Sequence, residues 1–245
     1  MAAGEGFEFQ RRRLSRFLLR SDIAADLRPL FEAWARGELP PARPLLGGRG
    51  GVGLYDTGQL RDVVLRPSRR GGLMASVNRD LYFGFRYRPF REVRHTEILL
   101  QRGVPTVQVL GCCVHLVAPG CYRAVVASAY AVGAVNLWEY LRAAPPQDRA
   151  RACEVVARAT RTLHDAGGVH PDLNLQNYLV RRSRGDHQVL IIDCDKIALR
   201  AVTAADRRAA FARLCRSIRR LDPESAIVTY DCVRALRQIQ EPVST

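Results

Sequence analysis

The chain has 245 residues, of which 47% are hydrophobic and 25% charged. That balance excludes a disordered or fibrous protein and suffices for one core or for a two-lobed pair. The formal net charge is +14 and Lys196 is the only lysine, so an arginine-rich chain is drawn to polyanions: nucleic acid, anionic lipid or a phosphorylated substrate.

Seven cysteines, an odd number without a C-x-x-C pair, speak against a disulfide framework or a zinc site and for buried free thiols in a reducing cytosol. The opening "MAAGEGFEFQRRRL" lacks an apolar h-region, so no signal peptide is expected. Residues 11–20 are basic and apolar by turns. In "SDIAADLRPLFEAWARGEL", Ile23, Leu27, Leu30, Phe31 and Trp34 fall at helical spacing, with Ser21 as the expected N-cap and Gly37 and Pro40 as the stop. This helix either lies on a membrane surface or packs on the next lobe. A glycine-rich hairpin follows, in which Gly48, Gly50, Gly51 and Gly53 let backbone N–H groups approach phosphate oxygens. The next strand, Asp62–Arg66, ends in "VVLR", placing a cation where phosphoryl-transfer enzymes grip the nucleotide.

Residues 89–102 read as a helix that carries Glu92, the expected partner of Arg66, with Glu97 as the competitor. Residues 103–122 contain no Asp, Glu, Lys or Arg, but Pro105, Gly111, Pro119 and Gly120 break them into buried strands and turns, not a membrane span. Strands run to about Ala129. A hinge near 127–134 then carries Ser128 and Tyr130 as candidate nucleotide contacts. "VNLWEYL" starts a helix, residues 148–166 form a strongly periodic one closed by Gly167–Gly168, and Val189–Ile192 is a strand that delivers Asp193. Two helices finish the chain, Thr203–Leu221 with a capping box of Thr203 and Asp206, and Ser225–Gln240. The expected organisation is an N-terminal extension (1–44), a β-rich N-lobe (45–129) and an α-rich C-lobe (130–245).

The segment that carries chemistry is "GGVHPDLNLQNYLV". A carboxylate at the start of a loop can accept a hydroxyl proton, an amide five residues on can bind Mg²⁺ through its oxygen, and a carboxylate after the next strand can chelate the same ion between nucleotide phosphates. Asp172, Asn177 and Asp193 match those roles in order and context, which calls for ATP and Mg²⁺. His170 is read as a scaffold that packs and hydrogen-bonds the loop, and His164 as core.

On "VLRPSRRGGLMASVNRDLYFG", "RPFREVRHTEILLQRGVP", "HPDLNLQNYLV" and "IIDCDK", the chain resembles the lipopolysaccharide kinase family, Kdo-kinase-like members of the protein-kinase-like superfamily. The resemblance covers roughly residues 45–200. It implies an α+β two-lobed fold and transfer of phosphate to the 4-hydroxyl of the first Kdo (3-deoxy-D-manno-octulosonic acid) on lipid A. The place implied is the cytoplasmic face of the inner membrane. The partners it implies are Kdo-lipid A and an anionic membrane surface, not nucleic acid. Arg69, Arg70, Arg79, Asn174 and Lys196 are the candidate acceptor contacts, because arginine's planar fork suits carboxylate and phosphate. Arg66 stands where kinases of this superfamily usually carry lysine, and Pro171 replaces the arginine of the His-Arg-Asp form, which favours a small or glycolipid acceptor. Two other readings stay open: a kinase of the aminoglycoside-phosphotransferase type and a nucleotide-binding scaffold without activity.

Overall fold

The computed structural model describes residues 6–43, 52–58, 60–68, 81–183 and 185–241. Gly48, Gly50 and Gly51 of the glycine-rich hairpin, and Arg69, Arg70 and Arg79, lie outside these residues. The chain divides into two compact units, Met1–Glu97 with Gln108–Tyr130, and Ile98–Val107 with Ala131–Thr245.

In the first unit the elements run β1 (Phe7–Arg12), β2 (Ser15–Arg20), α1 (Ala24–Arg36), β3 (Gly53–Thr57), β4 (Leu60–Pro67), β5 (Tyr82–Phe83), α2 (Arg88–Gln101, counted with the second unit from Ile98), β6 (Val109–Ala118) and β7 (Cys121–Ala129). Among the described residues they form a seven-stranded sheet in the order β1-β2-β6-β7-β4-β3, with β5 also on β7. Every pairing is antiparallel. The period-2 alternation of a strand sends neighbouring side chains to opposite faces, and here both faces are covered. Phe17 and Leu19 of β2 and Val125 and Ala127 of β7 pack with Leu27, Leu30 and Phe31 of α1. Leu18, Ala124 and Val126 face the other way, onto Phe90 and Val93 of α2.

The segment read as an N-terminal extension thus supplies two strands and a helix to this sheet. Of the two readings of the helix, the structure shows the packed one: Leu27 and Phe31 are fully buried. Each such side chain contributes about 1.5–3 kcal/mol of burial. The helix starts later than expected. Ser21 is held by its backbone N–H to the Gly6 carbonyl at 3.0 Å, and Ile23 occupies the N-cap without a side-chain hydrogen bond. Gly37 closes it in the left-handed conformation at φ 76°, as a C-cap glycine does.

In the second unit follow β8 (Val135–Asn136), α3 (Leu137–Ala143), α4 (Pro146–Asp165), β9 (Gly168–Val169), β10 (Tyr178–Ser183), β11 (Asp186–Ile191), β12 (Ala198–Leu199), α5 (Ala204–Leu221) and α6 (Tyr230–Arg237). The β10–β11 hairpin takes β8 as a third strand, and β9 pairs with β12. Val156, Leu163, Leu175, Tyr178, Ile191, Leu214 and Leu236 belong to one buried cluster, so the helices and the hairpin share a core. The Thr203–Asp206 capping box starts α5 as expected.

Candidate active site

Two adjacent glycines open the loop that carries the chemistry, and each has its own reason. Gly167 sits at φ +81°, and a Cβ there would lie 3.1 Å from the Arg200 carbonyl oxygen. A Cβ on Gly168 would overlap the Leu163 side chain. The chain can therefore turn out of α4 and pair β9 with β12 against the helix, Arg200 N–H bonding the Gly167 carbonyl at 2.8 Å.

His170 comes next and is buried. Its Nδ1 accepts the Asp172 backbone N–H at 3.2 Å, so Nε2 carries the proton and donates to the Ile192 carbonyl, also at 3.2 Å. Burial lowers its pKa. The Ile192 carbonyl and the Asp193, Asp172 and Asp195 carboxylates push the other way without restoring it. A neutral imidazole that bonds the loop on one side and residue 192 on the other is a strut, as the sequence suggests, and no acid or base.

Beyond His170 the loop closes on itself. The Asn177 amide donates from Nδ2 to the Asp172 backbone carbonyl at 2.7 Å, and Asn174 Nδ2 shares the same oxygen at 3.0 Å. Asn174 Oδ1 accepts the Gln176 N–H at 2.9 Å, which starts the 3₁₀ turn Leu175–Asn177. Both ends of the Asn174 carboxamide therefore hold the loop. For Asn177 only the nitrogen is committed to the loop, and the amide plane aims Oδ1 the opposite way. The Ile192 N–H bonds the Asn177 carbonyl at 3.0 Å. Residue 177 and the residue before Asp193 are thus fastened to each other.

Asp193 itself has φ 64° and ψ 49°, a left-handed conformation that costs a non-glycine residue about 1 kcal/mol or more. It precedes the 3₁₀ turn Cys194–Lys196, which buries Cys194 and leaves Lys196 exposed. Asp172 is exposed, and Asn177 and Asp193 are half-buried. Below the loop, Ser217 Oγ of α5 accepts the Leu175 N–H at 3.2 Å. Thr160 gives its one hydroxyl proton to the Val156 carbonyl, so the Tyr178 hydroxyl is the donor in their 2.8 Å bond. Neither support has a sequence signal, because both join residues far apart in the chain.

In the first unit Arg66, on β4, forms an ion pair with the buried carboxylate of Glu92 on α2. Glu97, the competitor, is held by Arg20 at 3.2 Å. Ser128 pairs with Val64 in the sheet, and Tyr130 N–H bonds the Asp62 carbonyl at 3.0 Å. Gly53 begins β3, where a Cβ would run into the Tyr55 ring and Ala42. Local packing alone thus accounts for a glycine there.

A sequence description of the "Lipopolysaccharide kinase (Kdo/WaaP) family" matches residues 46–237, well over half of the chain. The chain belongs to the lipopolysaccharide kinase (Kdo/WaaP) family. Among its relatives, the 3-deoxy-D-manno-octulosonic acid kinase of Xylella fastidiosa (strain 9a5c) is 32% identical over 185 residues, 74% of this chain and 71% of that protein. The enzyme of that name from Xanthomonas campestris pv. campestris (strain B100) is 35% identical over 184 residues, again 74% and 71%. A solved structure, WaaP in complex with acyl carrier protein, superposes with a TM-score of 0.56 at 20% identity, covering 91% of this chain and 88% of that one. The likeness shows the kinase-like two-lobed fold expected from the sequence.

This lipopolysaccharide kinase is accordingly an ATP-dependent phosphotransferase with a sugar alcohol group as acceptor. Among the described residues no three His, Cys, Asp or Glu side chains cluster as a metal cage, and no helix is long and apolar enough to cross a membrane.

Proposed function

We propose that the kinase transfers the terminal phosphoryl group of ATP, with Mg²⁺, to the 4-hydroxyl of a Kdo sugar in the lipopolysaccharide inner core. It would work at the cytoplasmic face of the inner membrane. The observation that carries this reading is the hydrogen-bonded frame of His170, Asn177 and Ile192. It holds Asp172 exposed at the loop's start while fastening Asn177 to the residue before Asp193. That the Xylella and Xanthomonas relatives are 3-deoxy-D-manno-octulosonic acid kinases supports Kdo as the acceptor.

The donor set fits magnesium. One carboxylate and one amide oxygen are hard ligands, and Mg²⁺ on a nucleotide needs few protein ligands because phosphates and waters complete its shell. Asn177 through Oδ1 and Asp193 through its carboxylate would hold it. When bound, the ion neutralises charge on the phosphate oxygens during transfer. Asp172 takes the proton of the acceptor hydroxyl, and its exposed position suits a partner that arrives from solvent. Arg66, held by Glu92, is the cation for the nucleotide phosphates, with Gly48, Gly50, Gly51, Gly53, Ser128 and Tyr130 as further contacts. Lysine's usual role at that strand position passes to a guanidinium that can bond a carboxylate and phosphates at once. Lys196, exposed just after Asp193, and Arg69, Arg70 and Arg79 are the contacts proposed for the anionic acceptor.

Incubation of the full chain with ATP, Mg²⁺ and Kdo-lipid A tests the proposal. Mass spectrometry should show one added phosphate, and phosphorus NMR should place it on the Kdo 4-hydroxyl. Transfer to aminoglycosides but not to Kdo, or ATP binding without any transfer, would overturn it.

A further inference from the structure

At one end of the first unit's sheet, three turns meet and carry apolar side chains outward. The β1–β2 turn puts Leu14 at its tip, 55% exposed. Its carbonyl accepts the Leu116 N–H at 2.9 Å, which sets it beside the β6–β7 turn, where Val117 is 52% exposed. Gly120 of that turn accepts the Gly84 N–H at 2.8 Å, and the Phe85 ring lies 3.5 Å from where a Gly120 Cβ would stand. Phe85 is 83% exposed and Phe83, paired with Cys121, is 63% exposed. These hydrogen bonds make Leu14, Val117, Phe83 and Phe85 one contiguous rim.

The charge around the rim has a single sign. Residues 9–20, 81–91 and 114–123 hold nine arginines and no Asp or Glu. Arg20 is tied to Glu97, and Arg123 lies over Trp34, on the α1 side. Arg11, Arg12, Arg13, Arg86 and Arg88 are exposed with the apolar tips. Arg13 takes φ 47° at its hairpin tip, where glycine or asparagine would fit more easily.

We propose that this rim is the surface by which the protein seats on an anionic bilayer. Leu14, Phe83, Phe85 and Val117 enter the acyl boundary, and Arg11, Arg12, Arg13, Arg86 and Arg88 meet headgroup phosphates. Separate turn tips, each carrying one or two apolar side chains, suit a fluid boundary that closes around them, whereas a protein partner needs a fitted groove or face. A ring of arginines without acids complements a sheet of phosphates. The inference rests on the lipid-linked acceptor for its place in the reaction, but it concerns a different part of the molecule and is tested without turnover.

The test is flotation of the full chain with vesicles of phosphatidylcholine, with and without phosphatidylglycerol. Binding should require the anionic lipid and weaken with salt. Leu14→Ser with Phe85→Ser should lower the partition coefficient roughly tenfold or more. Arg11→Gln with Arg12→Gln and Arg13→Gln should lower it about 100-fold at low salt, from roughly fivefold per charge. Melting temperatures should not change, since all five positions are exposed. In a second measurement, Phe85→Trp should add blue-shifted emission that brominated phosphatidylglycerol quenches. Wild-type partitioning of both variants, unquenched emission, or binding of an acidic soluble protein with no vesicle binding would overturn the proposal. Asp172→Ala should float like the wild type. Its loss of transfer therefore reports on the reaction, and the rim variants report on the membrane.

Discussion

Asp172 is useful because its neighbours do the holding. Its backbone carbonyl accepts two amide N–H groups and its own N–H is taken by His170, so the side chain can face a substrate while the main chain stays fixed. Asp172→Ala should therefore cost about 10²–10⁴ in kcat while ATP binding is largely kept, the usual share of a positioned base. Turnover within threefold of wild type would remove Asp172 from the reaction. Asp193→Asn should abolish the Mg²⁺ dependence of ATP binding, read by calorimetry with and without the ion. Unchanged Mg²⁺ dependence would contradict the assignment. Arg66→Ala should weaken ATP binding more than Arg66→Lys does, but it also removes an ion-pair partner of the buried Glu92 carboxylate, so its melting temperature should fall too.

Among the elements, the link between α5 and α6 depends on one side chain. Asp222 is buried, and its two oxygens accept three backbone N–H groups, from Ala226, Ile227 and Val228 at 2.7–3.0 Å. Burial alone would raise its pKa. The three N–H bonds and the charge of Arg149 overcome that and leave it below the ordinary carboxylate value. Asp222→Ala should destabilise the chain by about 2–4 kcal/mol, measured by urea unfolding, because three backbone donors, that of Val228 buried, lose their acceptor. Thr203→Ala, which removes half of the α5 capping box, should cost only about 1 kcal/mol. Equal losses from the two would mean that the turn after Asp222 is held by something else. The helices themselves were legible: α2, α4 and α5 lie within two residues of where hydrophobic period and breakers place them. The start of α1 was not, because Ser21 is recruited by the strand side of the turn.

For the molecule as a whole, acid should be the sensitive direction. His164 is buried, its pKa is lowered to about 4 by burial and then by Arg207, and His170 is lowered by burial as well. Both are neutral when folded, and in the unfolded chain both take up a proton near pH 6.5. At His164, between about 6.5 and 4, the unfolded state therefore binds more protons. His164 thus contributes stability that is full above 6.5 and falls on acidification by about 1.4 kcal/mol per pH unit, and His170 adds a loss in the same direction. Urea midpoints at pH 7 and pH 5 check this, and His164→Leu should flatten the slope. A midpoint that does not move over that range would refute it.

The sequence by itself determined the places of α2, α4 and α5, the scaffolding role of His170 and the spacing of Asp172, Asn177 and Asp193. These depend on hydrophobic period and on bonds spanning a few residues, such as Asn177 to Asp172, so they leave a local trace. Tertiary structure alone decided that residues 7–36 supply two strands and a helix to the first unit, that Glu97 goes to Arg20, and that Ser217 supports the loop at Leu175. It also set the Asn174 carboxamide into the loop's own hydrogen bonds and buried the apolar face of α1. Such pairings join residues as much as 100 apart, where no periodicity connects them and only the closing of sheet and core selects the partner.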